Sequence, residues 1–171
     1  FVADDNETRW IDSGFDNYAG VTFNNTPDNC RIFIGWMSNW EYATEIAQSK
    51  TASSMTAPRL LSLQNNDGFQ LHQKPLPDQN GLQEIDITTP CEIKIQERSK
   101  SVNISIFPLG ISVDRSKAWN FKHKKLEVTI RNIEKIILLL DVGRLEIFLN
   151  SGQSITLLHS MINPEIVYIP K

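Results

Sequence analysis

The sequence has 171 residues, 40% of them hydrophobic, and a formal net charge of −3. That length admits one domain or two small ones, and the slightly acidic balance gives no electrostatic reason to expect a nucleic acid or an anionic membrane as partner. The most apolar stretch, Ile133 to Gly143, is too short for a membrane span and carries Glu134 and Lys135.

The N-terminal part alternates strands with polar turns. Phe1 to Thr8 is polar and reads as loop, and Arg9 to Asp12 is short and extended until Asp12-Ser13-Gly14 breaks it. Tyr18 to Phe23 alternates apolar and polar residues as a half-buried strand does, with Tyr18 read as core. Asn24 to Cys30 is dense in Asn, Thr, Pro and Asp, a hairpin loop. Arg31 to Trp36 is the returning strand. Trp40 to Gln48 has the pattern of one or two helical turns. Met55 to Leu63 is extended around Pro58, which suggests an edge strand. Asn65-Asn66-Asp67-Gly68 is a turn, and Phe69 to Gln73 pairs back across it. Tyr18 to Pro75 thus supplies about four antiparallel strands.

Lys74 to Gly81 holds two prolines, polar residues and a glycine, a linker composition. Beyond Gln83 come short strands of period two: Glu84 to Ile87, Cys91 to Ile95, Val102 to Phe107, Gly110 to Asp114, Lys125 to Arg131, Ile136 to Asp141, Arg144 to Leu149, Ser154 to Leu158 and Glu165 to Ile169. Many short strands separated by turns predict a β-sandwich. The fold class is therefore all-β.

Chemistry concentrates between Arg9 and Trp40. Asp12 and Asp16 lie near a strand whose end carries Trp36, with Trp40 four residues on. Carboxylates accept hydrogen bonds from sugar hydroxyls, and indole rings cover apolar sugar C–H faces. Asp12, Asp16, Trp36 and Trp40 are the candidate substrate-binding residues. Retaining cleavage of a glycoside needs two carboxyl groups about 5 Å apart. Asp12 and Asp16, four apart on an extended segment, would sit roughly 13 Å apart and do not form that pair. His72, His123 and His159 share no metal or triad spacing. Cys30 and Cys91 fall in different predicted units and read as free thiols. No metal and no cofactor is expected. Asp114-Arg115 reads as a local ion pair or turn, and Glu146 as a contact between the two units. The basic run Lys117 to Lys125, interrupted by Trp119 and Phe121, reads as a solvated sheet edge rather than a nucleic-acid surface.

The runs WIDSGFDNYAGVTF, RIFIGWMSNWEYA, MTAPRLLSL and GFQLHQKP, in this order, resemble the late part of the catalytic domain of glycoside hydrolase family 32, the levanases, invertases and inulinases. ISVDRS and LLLDVGRLEIFLNSGQSITL resemble the sandwich of the same family. The resemblance implies a partial five-bladed β-propeller, its last blade at residues 1–76, then a linker at 77–83 and a C-terminal β-sandwich at 84–171. It places Asp12 as an auxiliary acid in a fructose pocket, Trp40 near the site of the terminal sugar, Arg59 in a structural role within a Pro-Arg motif, and Trp40 to Gln48 in a loop.

The chain lacks the family's nucleophile, stabiliser and acid/base motifs: it has no Asp-Pro dipeptide, and neither cysteine follows a glutamate. The expectation is a C-terminal fragment of a retaining enzyme acting on sucrose or fructans, itself inactive, and extracellular or periplasmic by resemblance. Its partners would be fructose-containing sugars and the missing N-terminal propeller part. A lone blade would also expose apolar faces prone to self-association. The alternative reading is a non-catalytic carbohydrate-binding or structural module.

Overall fold

The computed structural model describes residues 8–46, 54–65, 68–77 and 79–170. Turn chemistry sets the first hairpin: Asn25, Asp28 and Asn29 take positive φ, a backbone region that Asn and Asp tolerate better than other side chains. The chain thereby folds back, and β1 (Tyr18–Thr22) pairs antiparallel with β2 (Arg31–Trp36). A single helical turn, α1 (Ala43–Ile46), follows β2 where the family resemblance implied a loop; Ala47 and Gln48 lie outside the described residues. β3 (Arg59–Asn65) and β4 (Phe69–Pro75) complete a four-stranded sheet in chain order. β3 lies inside this sheet, between β2 and β4, not at its edge. Pro58 precedes the strand, so no ladder hydrogen bond is lost to it.

Two further sheets account for the rest. β5 (Leu82–Asp86) begins two residues inside the span read as linker and pairs with β10 (Lys135–Asp141). β10, β11 (Arg144–Leu149) and β12 (Ser154–Leu158) follow one another, giving the order β12-β11-β10-β5. β6 (Cys91–Glu97), β7 (Lys100–Phe107), β8 (Gly110–Asp114), β9 (Lys125–Thr129) and β13 (Glu165–Pro170) form the other sheet, in the order β13-β6-β7-β8-β9. Ile93, Ile95, Val102, Ile104 and Ile111 from this sheet share one core with Ile136, Leu138, Leu145, Ile147, Ile155 and Leu157 from the other. The chain is all-β, and no helix of the described residues is long and apolar enough to cross a membrane.

The alternation differs between the two sheets for a physical reason. β6 buries Cys91, Ile93 and Ile95 and turns Glu92, Lys94 and Gln96 outward, as a strand with one solvated face must. β11 is buried at five of its six positions and β12 throughout. Their second face is covered by the N-terminal sheet and its flanking segments. Leu139 and Phe148 pack against Ala57 there, and Leu158 joins Met37, Tyr42, Ile46 and Phe121. This is why Ile136 to Leu140 reads as a continuous apolar run: both faces are covered.

Candidate functional site

Period two along β11 and β12 sends Leu145, Ile147, Ile155 and Leu157 into the common core and Glu146, Phe148, Ser154, Thr156 and Leu158 to the opposite face. Three of those five are polar and buried. They meet the segment Asp12–Asp16, which runs along β12: Ser13 N–H donates to the Ser154 carbonyl at 2.9 Å and Asp16 N–H to the Thr156 carbonyl at 3.2 Å. A Cβ on Gly14 would stand 2.1 Å from the Thr156 carbonyl oxygen, so only glycine permits this approach.

Asp12 is saturated by the chain's own donors. Its Oδ1 accepts from Gly14 N–H and Thr156 N–H, each at 2.8 Å. Its Oδ2 accepts from the hydroxyls of Ser154 and Thr156, each at 2.7 Å, and from Arg59 Nη1 at 3.0 Å. Burial alone would raise its pKa, but the Arg59 guanidinium and these hydrogen bonds hold the carboxyl below the usual range. Arg59 is fully buried and also binds Glu146 Oε2 at 2.5 Å. Its guanidinium lies over the Phe148 ring at 5.0 Å. Glu146 accepts a further hydrogen bond from Ala57 N–H at 2.7 Å. Burial outweighs these partners and pushes its pKa up. One cation thus serves two carboxylates: Asp12 carries a firm negative charge, while Glu146 is the member that takes up a proton more readily.

Asp16 forms the second centre. Its Oδ2 accepts from Arg115 Nη1 at 2.5 Å and from Leu158 N–H at 2.7 Å, and its Oδ1 accepts from the Tyr42 hydroxyl. Arg115 also donates to Tyr42 Oη at 2.9 Å, to the Leu158 carbonyl at 3.1 Å and to the His123 carbonyl at 2.8 Å. Its guanidinium stacks 3.9 Å from the Phe121 centroid. Burial first, and then the neighbouring Asp16 charge, raise the Tyr42 pKa above its ordinary value. The local pairing read for Asp114 with Arg115 is therefore corrected. Asp114 pairs with Lys125 at 3.0 Å, while Arg115 turns to the opposite side of its strand end and reaches a carboxylate far away in sequence.

The aromatic pair lies on β2 and the turn after it, next to the Asp16 end of the segment. The rings of Trp36 and Trp40 are 4.8 Å apart, and Tyr18 meets Trp36 edge-on at 6.3 Å. Trp40 is 70% exposed and Tyr18 is 54% exposed, so Tyr18 is not the core residue its alternation suggested; it sits on the edge strand. Asn39 Nδ2 donates to the Phe15 carbonyl at 3.0 Å, tying the Trp40 turn to the Asp12–Asp16 segment. The structure thus brings Trp36 and Trp40 together at the surface and places Asp12 and Asp16 in two buried ion-pair centres behind them. Sequence reasoning noted Glu146 and the structural part of Arg59 but missed Tyr42, Ser154, Thr156 and the true partner of Arg115. The available signal was Glu146 in β11 and Ser154 and Thr156 in β12, polar residues on one face of otherwise apolar strands.

His159, just beyond β12, is buried as well. Met161 N–H donates to its Nδ1 at 3.1 Å, and its Nε2 lies 3.2 Å from the Arg144 carbonyl. A carbonyl can only accept, so the ring is neutral with its proton on Nε2. Protonating Nδ1 would sacrifice the Met161 bond in a dry site, and burial pushes the pKa down from 6.5 to about 4. The unfolded chain binds this proton more readily than the folded one. The stabilisation from neutral His159 is therefore present above pH 6.5 and lost as pH falls toward 4, at about 1.4 kcal/mol per pH unit within that window. A His159→Gln variant should show a shallower fall of unfolding free energy between pH 6.5 and 4 in urea titrations. An unchanged slope would remove His159 as the cause.

An all-β chain with an aromatic pair on a sheet pinned by buried arginines has clear relatives among known proteins. Residues 1–75 match the family model described as Glycosyl hydrolases family 32 N-terminal domain, ending on the last residue of β4. The levanbiose-producing levanase of Bacillus subtilis (strain 168) is 32% identical over 150 residues, covering 84% of this chain and 28% of that protein. The levanbiose-producing levanase of Geobacillus stearothermophilus is 31% identical over 150 residues, again 84% of this chain and 37% of that protein. In fold, the chain superposes on the β-fructofuranosidase of Schwanniomyces occidentalis complexed with fructosyl-erythritol. The TM-score is 0.74 at 19% identity, over 99% of this chain and 47% of that one. The chain is a relative of glycoside hydrolase family 32, and it spans less than half the length of these relatives.

Proposed function

We propose that this chain is the closing portion of a retaining β-fructosidase that cleaves sucrose or fructans of the levan or inulin type. Residues 1–76 would form the last blade of a five-bladed propeller, residues 77–83 the connection, and residues 84–171 the C-terminal β-sandwich. The nucleophile, transition-state stabiliser and acid/base would come from propeller residues outside this sequence, and the chain alone would not hydrolyse fructosides. Trp36 and Trp40 would contact the sugar. Asp12 and Asp16 would serve that pocket from behind, by fixing the segment on which the Trp40 turn rests.

The observation that carries this reading is the exposed Trp40 lying against the half-buried Trp36, in a chain related to levanases. The apolar surface of the first sheet supports it. Val21 is 62%, Leu63 61% and Phe69 67% exposed, a concentration that calls for covering sheets. The isolated chain would therefore self-associate unless the rest of a propeller covers it.

The test has two arms. The purified chain should release no fructose from sucrose, levan or inulin. Tryptophan fluorescence should respond to levan oligosaccharides, and Trp40→Ala should weaken that binding roughly fivefold, the worth of one ring contact. Fructose release by the pure chain, or fluorescence binding unaffected by Trp40→Ala, would contradict the reading.

A further inference from the structure

A cleft of about 700 Å³ lies between β4 of the first sheet and β5, β10 and β11 of the second. It is remote in sequence from the tryptophan pair. Its wall is apolar where Pro75, Leu82, Ile137 and Phe148 contribute. The volume is that of a pocket for a small organic molecule.

The polar groups around the cleft sort into spent and unspent. Asn150 accepts from Glu134 N–H and donates to the Asn132 carbonyl. Gln73 accepts from Arg59 and donates to the Ile11 carbonyl. Glu84 is held by Lys135 at 3.2 Å. Gln79 donates to the carbonyls of Pro58 and Leu76. Two side chains stand apart. His72 is 7% exposed, lines the cleft, and its buried Nε2 has no hydrogen-bond partner. Such an atom costs free energy unless something satisfies it. Lys74, two residues on and so on the same face of β4, also lines the cleft and makes no ion pair among the described residues. The ring of His72 is held in place by Gly152, where a Cβ would stand 2.3 Å from the imidazole.

We infer that this cleft is a second ligand site, separate from the tryptophan pair, for a small organic anion: a carboxylate or phosphate head bound by His72 and Lys74, with an apolar body on Ile137 and Phe148. The unspent side chains are a cation and an imidazole that can donate, and the side-chain acceptors of Asn150, Gln73 and Glu84 are engaged. A neutral polyol would leave the ammonium unused and would find few free acceptors for its hydroxyls. An inorganic anion would leave the apolar wall wet. The site stands whether or not the fructosidase reading holds.

The test is titration of the full chain with butyl phosphate, butyrate, inorganic phosphate and fructose, followed by calorimetry and by the ring signals of His72 in NMR spectra. Butyl phosphate, butyrate or both should saturate and shift the His72 ring, and the tighter of the two names the head group. Inorganic phosphate and fructose, each lacking half of the recognition, should bind at least about fivefold more weakly than the tighter of those two. Lys74→Gln, at an exposed position, should weaken the tighter organic anion about fivefold with no change in melting temperature. His72→Gln should weaken it too. The inference fails if fructose binds as tightly as that anion, if both variants bind it unchanged, or if neither organic anion saturates below about 10 mM.

Discussion

Replacing Arg59 with methionine lowers the unfolding free energy by about 3–5 kcal/mol, the cost of stranding a buried carboxylate. Methionine keeps much of the volume between Phe148 and Phe33, so the loss is electrostatic rather than a cavity. Two acids lose their cation at once, Asp12 at 3.0 Å and Glu146 at 2.5 Å. At this chain length each kcal/mol moves the melting temperature by about 2–4 °C, so calorimetry should show a drop of about 6–20 °C. The pH response follows from the two acids. Glu146 already has a raised pKa and rises further without the cation. Lowering the pH from 7 to 5 should protonate it in the variant and recover part of the loss. In the native chain the Arg59 guanidinium opposes this rise, so the native chain should gain less than the variant over the same range. A variant within about 1 kcal/mol of the native chain at pH 7 would mean that the pair is not the fastening it is described to be.

Arg115→Met should cost a similar amount, again about 3–5 kcal/mol, because Asp16 and the Tyr42 hydroxyl are both buried around it. This centre adds a geometric requirement. One guanidinium reaches Asp16, Tyr42 and the carbonyls of Leu158 and His123 while stacking on Phe121. Lysine has the charge but not the planar fork. Arg115→Lys should therefore recover less than half of the loss in urea unfolding. Full recovery by lysine would show that charge alone is needed there.

How much of this was legible in the sequence follows from what each residue contacts. β2, β8, β11 and β12 lie where the alternation placed them, because strand period and turn residues are local signals. The ends of β5 and the interior position of β3 depend on pairing with distant strands and did not show. The Asp12–Arg59–Glu146 centre joins three segments that only the fold brings together. Its sequence trace was a glutamate, a serine and a threonine on one face of an apolar strand pair. Arg115 misled for the same reason: Asp114 is its neighbour in sequence, but successive residues of a strand point to opposite faces. The tryptophans were visible as residue types. That Trp40 is exposed and Trp36 half-buried beneath it depends on the turn after β2 and could not be read from composition.

The two buried arginine centres fasten the first sheet and the paired sheets into one body. Calorimetric unfolding of the chain, native and Arg59→Met, tests this most directly. The prediction is one cooperative transition with matching calorimetric and van't Hoff enthalpies, moved to lower temperature as a whole by the substitution. Two separate transitions in the native chain, with Arg59→Met shifting neither, would contradict it.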